Sequence, residues 1–154
     1  MDTDQFFRKV DSFNDELINL RRYIHAHPEL SGFENQTAIL ITGFLKNIGW
    51  NVRESVGRTG VIADFGTSEK GIIALRVDMD ALPVFEETKL SFSSKVDGVM
   101  HACGHDVHIS IGLGVAKIIK DLKLNFGTRI IFQPAEEIAS GARWMIKDLS
   151  LIHI

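Results

Sequence analysis

Nine consecutive residues, Met100-His101-Ala102-Cys103-Gly104-His105-Asp106-Val107-His108, hold the only cysteine of the chain and three of its six histidines. Sulfur, imidazole nitrogen and carboxylate oxygen crowded this closely suit a transition-metal site better than a structural loop. Cys103 and His105 are two residues apart, so a turning backbone can aim both at one ion, and Gly104 permits the bend. A metal, helped by a helix N-terminus just downstream, would favour the Cys103 thiolate. A lone cysteine is otherwise commonly a buried packing residue, but the crowd of His101, His105, Asp106 and His108 favours the metal reading. Acidic clusters flank the run on both sides, Asp78-Met79-Asp80 before it and Glu136-Glu137 after it. One of the two aspartates could hold a metal-binding imidazole in place, against the alternative of a solvated loop. Adjacent glutamates point differently, so one can bind a metal while the other faces a substrate as general base; the competing reading is a solvated pair at a helix start. His25 and His27, close to Pro28, read as cap or packing residues.

The elements that must position these residues follow from periodicity. Phe6, Phe7, Val10, Phe13, Leu17, Leu20 and Ile24 recur at helical spacing, predicting one helix closed by Pro28. A second helix is predicted from Glu34 to Ile48, with Ala38, Ile41, Leu45 and Ile48 on one face and Gly49 as its stop. Asn51–Ser55 and Gly60–Phe65 read as a hairpin around Gly57-Arg58-Thr59-Gly60. The apolar run Gly71–Val77 predicts a central strand covered on both faces. A polar loop from about Ala81 to His101 follows. Asp106 is expected to cap a helix running to about Leu122, with Ile111, Val115, Ile118, Ile119 and Leu122 as its apolar stripe. Gly112 and Gly114 within it suggest close packing against the sheet. Thr128–Gln133 predicts another strand, ended by Pro134, and Gly141–Lys147 a last helix. Alternating helices and buried strands imply an α/β fold with a mainly parallel sheet. Both acidic clusters then follow the carboxyl ends of strands, the edge where open α/β sheets bind ligands. The three clusters are therefore expected to converge.

Composition narrows the function. At 154 residues the chain has the length of one domain, and with 45% hydrophobic and 24% charged residues it can bury a core. A formal net charge of −3 provides no basic footprint for nucleic acid and no membrane-surface patch. The acidic start, Met1-Asp2-Thr3-Asp4, lacks the apolar stretch of a signal peptide, and no apolar run approaches a membrane span. A single cysteine cannot form an intrachain disulfide, which fits a reducing cytoplasm.

Four blocks carry a resemblance to a known family: Arg21-Arg22-Tyr23-Ile24-His25-Ala26-His27-Pro28-Glu29-Leu30-Ser31; Leu75-Arg76-Val77-Asp78-Met79-Asp80-Ala81-Leu82-Pro83 running on to Glu86-Glu87-Thr88; Met100 to His108; and Phe132-Gln133-Pro134-Ala135-Glu136-Glu137. In this order they resemble the M20 metallopeptidase and amidohydrolase superfamily, in its aminoacylase, hippurate hydrolase and auxin-conjugate hydrolase branch. The resemblance implies a zinc-exopeptidase-like catalytic domain. It implies Cys103, His105 and Glu137 as ligands of a pair of divalent metals, with Zn, Mn, Co and Ni all open. It implies Glu136 as the general base and Asp80 as the acidic residue supporting the metal centre. Asp78 stands where related branches have a histidine ligand, and His108 matches the block without being a ligand. The reaction implied is hydrolysis of the amide of an N-acyl amino acid, a small-molecule substrate.

Family members run to well over twice this length, with further histidine ligands and a lid or dimerisation domain, so the resemblance allows a homodimer for the full-length parent. Residues 1–148 are thus expected to be the N-terminal part of a catalytic domain. Leu149-Ser150-Leu151-Ile152-His153-Ile154 translates CTG TCT CTT ATA CAC ATC, the end sequence of a transposon used to prepare sequencing libraries, so 149–154 is expected to be a non-native tail. Three protein ligands cannot hold two metals in a closed site, and this truncated chain alone is expected to be inactive. Two other functions compete: a truncated, non-catalytic metal-binding or interaction module, and a hydrolase with Cys103 as nucleophile and His101 or His105 as base.

Overall fold

The computed structural model describes residues 2–67, 69–122 and 124–149. The elements run α1 (Thr3–Asp11), α2 (Asn14–Ala26), α3 (Asn35–Asn47), β1 (Asn51–Val56), β2 (Gly60–Phe65), β3 (Ile72–Asp78), α4 (His105–Asp121), β4 (Gly127–Gln133) and α5 (Gly141–Asp148). The α/β class, the hairpin, the long loop before Cys103 and the helix after Glu34 stand as expected. Of the predicted tail, Leu149 follows α5, and 150–154 lie outside the described residues.

The first predicted helix is two helices. Asp2 caps α1 by accepting the Gln5 N–H at 2.8 Å, and the helix ends at Ser12, whose hydroxyl donates to the Lys9 carbonyl at 2.7 Å. Buried Phe13 then precedes α2. Both helices turn apolar residues toward α4, where Phe6, Val10, Phe13 and Leu17 line one groove with Ile111, Ile118 and Leu122. The apolar spacing therefore continues across a break that it cannot reveal.

The sheet order is β1-β2-β4-β3. β1 and β2 pair antiparallel, β2 and β4 pair antiparallel, and only β3 and β4 are parallel. Among the described residues the sheet is therefore mixed rather than mainly parallel, because the tight hairpin reverses β1 and β2 where a parallel pair would need a crossover. β3 lies at an edge, not at the centre. Ile72 and Ile73 are 47% and 59% exposed, and burial begins only at Val77. An apolar run marks a strand suited to cover on both faces, but it does not say whether the covering partners are present.

One face of the sheet carries the main core. Val61, Ala63, Val77, Ile130 and Phe132 meet Ile41 and Leu45 of α3 and Ile109, Leu113 and Ala116 of α4. On the other face Ile62 and Val56 pack with Met145 of α5. The sheet-facing stripe of α4 is thus Ile109, Leu113 and Ala116. Of the predicted stripe, Ile111 is exposed and Ile118 and Leu122 face the α1–α2 side. Gly112 is where α4 touches the sheet most closely, since a Cβ there would lie 2.8 Å from Val77 and 3.4 Å from Phe132. Gly114 faces Leu17 of α2 instead, where an added Cβ would lie 2.7 Å from that side chain.

Candidate metal centre

The parallel pair of β3 and β4 decides the site. Its register sets Asp78 opposite Gln133, and the Met79 N–H donates to the Gln133 carbonyl at 3.1 Å. Asp80 and Glu136-Glu137 therefore leave adjacent strands at the same edge, as expected. His105 opens α4 toward that edge. Its cap is Gly104, at φ +84°, and not Asp106. The left-handed turn at Gly104 leaves Cys103 outside the helix and His105 in its first turn. Asp106 lies inside the helix and is fully buried, its Oδ2 meeting Arg21 Nε at 2.7 Å and His25 Nδ1 at 2.7 Å.

Cys103, His105 and Glu137 converge: one ligand atom from each lies within 4.8 Å of the others. The His105 Nδ1–H donates to the backbone carbonyl of Asp80 at 2.8 Å. That bond orients the ring and leaves Nε2 facing the carboxylates, 3.9 Å from Glu136 Oε2 and 3.9 Å from Glu137 Oε1. These separations are too long for hydrogen bonds. The His105–Glu137 separation is within the span of two donors that hold one cation at about 2.0–2.3 Å from each. Among the described residues Glu137 Oε1 is moreover buried with no hydrogen-bond partner, an arrangement that is costly unless something completes it. The donor set of thiol, imidazole and carboxylate thus fits a divalent metal on its geometry alone.

Asp80 is not among the converging three. Its carboxylate accepts the Ser31 hydroxyl at 2.5 Å, the Glu136 N–H at 3.1 Å and the Glu137 N–H at 3.0 Å. Burial pushes its pKa up, but hydrogen bonds from His105, Ser31 and the two amides outweigh it and hold the group at about 2. The same pair acts on His105: burial lowers its pKa, and the Asp80 carboxylate and carbonyl raise it to about 9. The Cys103 thiol is pushed up by the neighbouring carboxylates, Glu137 foremost. Burial drives His101 down to about 4, so it is neutral near pH 7. Asp78 pairs with Arg76 at 2.8 Å, and His108 Nδ1 accepts the Asp78 N–H at 3.2 Å; neither joins the cluster.

Behind the cluster lies a polar layer that sequence reasoning did not assemble. His25, expected only to cap or pack, sits between Asp106 and Glu86, with its Nε2 3.2 Å from Glu86 Oε1. Arg21, His25 and Glu86 all fall inside the blocks of the resemblance, which was the one signal that could have singled them out. The Ser94 N–H at 2.6 Å and the Thr88 hydroxyl complete the shell of Glu86. Burial pushes the Glu86 pKa up, and these donors with His25 more than reverse it, to about 2 from an ordinary 4.5. A depressed carboxyl stabilises the fold above its unfolded pKa, and that contribution disappears as pH falls through the folded value. Glu86→Gln is therefore expected to be less stable than the parent at pH 7, with the difference shrinking between about pH 5 and 2. Thermal unfolding across that range checks this; a difference that stays constant with pH would contradict it.

The other rim is formed by the hairpin and α5. The Arg58 guanidinium lies 3.9 Å over the Trp144 ring, and the Gly57 N–H donates to Asp148 at 2.7 Å. Trp144 also abuts Gly32, where a Cβ would lie 3.6 Å from the indole. No helix among the described residues is long and apolar enough to cross a membrane.

Residues 74–153 match peptidase family M20/M25/M40. The chain belongs to this family. The M20 match begins in β3 and takes in Asp80, Cys103, His105, Glu136 and Glu137, so every residue at the converging edge lies inside it. A probable hydrolase of Synechocystis is 50% identical over 138 residues, 86% of this chain and 35% of that protein. The N-acetyl-L-cysteine deacetylase of Bacillus subtilis is 44% identical over 142 residues, 90% of this chain and 34% of that one. Among solved structures, a dinuclear metal binding peptidase of the M20 family from Bacillus subtilis superposes with a TM-score of 0.86 at 43% identity, covering 94% of this chain and 41% of that one. The M20 chain thus spans about a third of the length of the curated relatives it matches.

Proposed function

We propose that this chain carries part of the metal centre of an amidohydrolase that cleaves the amide of N-acyl amino acids, with Cys103, His105 and Glu137 as metal ligands. The convergence of those three donors beside a buried, unpartnered carboxylate oxygen carries the reading. A divalent cation held there would acidify a bound water, from about 15.7 toward 7, and polarise the scissile carbonyl. Glu136, on the open side of the cluster with its side chain 38% exposed, takes the proton of the attacking water on its carboxylate and returns it to the leaving amine nitrogen. Asp80 holds the His105 ring and pins the amides of Glu136 and Glu137, keeping base and ligand in fixed relation. A deacetylase and a dinuclear metal binding peptidase among the similar proteins support the substrate class and a pair of divalent metals. A thiolate leans toward Zn²⁺ and leaves Mn²⁺, Co²⁺ and Ni²⁺ open.

Three donors are too few for two ions. We therefore read residues 1–148 as the N-terminal part of a catalytic domain, able to hold one ion, with the remaining donors outside the described residues and no turnover from this chain alone. A Cys103 nucleophile is less favoured, since without a metal the neighbouring carboxylates, Glu137 foremost, push its thiol pKa up, away from the thiolate that attack needs. The single thiol also supports a reducing compartment such as the cytoplasm. Titration with Co²⁺ tests the site: one equivalent is expected to raise a thiolate-to-cobalt charge-transfer band. Binding without that band, or none at all, would reject the ligand set, and hydrolysis of N-acetyl amino acids by the isolated chain would overturn its incompleteness.

A further inference from the structure

Glu34 and Asp106 are fully buried carboxylates that the proposed chemistry does not use; Asp106 is met by Arg21 and His25, whereas Glu34 faces no cation within hydrogen-bond reach among the described residues. Its exposure is 0% and its three hydrogen-bond donors are all neutral. Oε1 accepts the Gly32 N–H at 2.9 Å and the Ala135 N–H at 2.8 Å, while Oε2 accepts the Thr59 hydroxyl. Burying a carboxylate costs several kcal/mol, on the order of that for any ion taken from water, so this arrangement calls for a reason beyond packing.

Capping its own helix is not the reason. Glu34 stands at the N-cap of α3 but makes no side-chain cap bond. Glu29 does that work, accepting the Gln36 N–H at 3.1 Å, the Thr37 N–H at 2.8 Å and the Thr37 hydroxyl at 2.9 Å. Glu34 is thereby free to reach across to the turn after β4.

That turn is unusual. Ala135 has φ +50°, a left-handed conformation that costs a non-glycine residue roughly 1–2 kcal/mol. The next two amides, of Glu136 and Glu137, donate to Asp80. Three successive N–H groups are thus held by two buried carboxylates, a concave arrangement of amides of the kind that receives negative charge. Ser31, three residues before Glu34, donates to Asp80, so one loop reaches both carboxylates.

We propose that Glu34 is a positioning residue for the metal centre: by accepting the Ala135 N–H it fixes the left-handed step from which Glu137 reaches Cys103 and His105 and Glu136 faces the open side. The proposal rests on the metal-centre reading, and its test separates the two. In Glu34→Gln the amide oxygen can still accept from Ala135 and Gly32 while the amide nitrogen donates to Thr59, whose hydroxyl rotates to accept. This variant is expected to bind Co²⁺ within about 3-fold of the parent, as its intact bonding implies. Glu34→Ala leaves the Ala135 N–H without an acceptor and is expected to weaken Co²⁺ binding by roughly 10- to 100-fold, the usual effect of removing support behind a ligand. In the metal-free chain, amide exchange at Ala135, Glu136 and Glu137 should accelerate in the same variant. Glu34→Asp, which keeps the charge but draws it back from Ala135, provides the same readings should the alanine variant not fold.

Thr59→Val removes the third donor without touching Ala135, and is expected to lower Tm while leaving Co²⁺ affinity and these amides as in the parent. Equal losses of affinity in Thr59→Val and the Glu34 variants, in proportion to stability, would overturn the positioning role. So would parent-like exchange at Ala135 in Glu34→Ala or Glu34→Asp. Failure of the parent to take up Co²⁺ would reject the metal reading, while the exchange comparison would still decide what Glu34 does.

Discussion

Glu136→Gln, in a protein carrying this chain together with the remaining ligands, is expected to lower kcat by roughly 10²- to 10⁴-fold while leaving metal affinity within a small factor. The amide is isosteric but cannot take a proton. The backbone at this position is held independently of the side chain, since the Glu136 N–H donates to Asp80. The change therefore removes proton transfer without releasing the turn. Its side chain is 38% exposed against 17% for Glu137, which fits a group facing substrate beside one facing the ion. Steady-state kinetics with N-acetyl amino acids and a parallel Co²⁺ titration check this. Near-normal turnover would reject the base; equal losses of turnover and affinity would make Glu136 a ligand.

Cys103→Ala is expected to lower Co²⁺ or Zn²⁺ affinity by more than the roughly 100-fold that bounds changes behind the ligands, and to abolish the charge-transfer band altogether. Cys103→Ser should behave similarly, because a hydroxyl of that size is a hard and poorly ionised donor where a soft one is needed. Cys103 is exposed, so neither change opens a cavity, and Tm of the metal-free chain should move little. His105→Ala should lose affinity to a comparable degree but also stability, since the ring is buried against the Asp80 carbonyl. Retained affinity in Cys103→Ala would remove sulfur from the site and leave a carboxylate–imidazole pair.

The residues gathered at this edge were legible because each lies at a punctuation mark of the chain: Glu136-Glu137 after Pro134, Asp80 after an apolar strand, Cys103 and His105 around a glycine. Strand ends and helix starts define one edge of an α/β sheet, so local signals sufficed. What was not legible depends on partners far along the chain. Asp106 reads as a helix cap, yet it answers to Arg21 and His25, about 80 residues earlier. Glu34 reads as an ordinary acid at a helix start, while its carboxylate holds an amide 101 residues away. The exposure of Ile72 and Ile73 could not be read from an apolar run either, because burial belongs to the neighbours of a strand. Likewise, periodicity ran through the α1–α2 break since both helices present apolar residues to the same groove.

The two tryptophans of the chain divide its optical signal between interior and rim. Trp50 is locked in the core, its indole N–H donating to the Ala116 carbonyl at 3.2 Å with Phe65 beside it. Trp144 instead sits under a guanidinium, against the loop that leads to Glu34 and one helix beyond Glu137. Stacked charge and local polarity shift indole emission, so Trp144 is a built-in fluorophore for the neighbourhood of the carboxylates, and Trp50 supplies the constant background against which it is read.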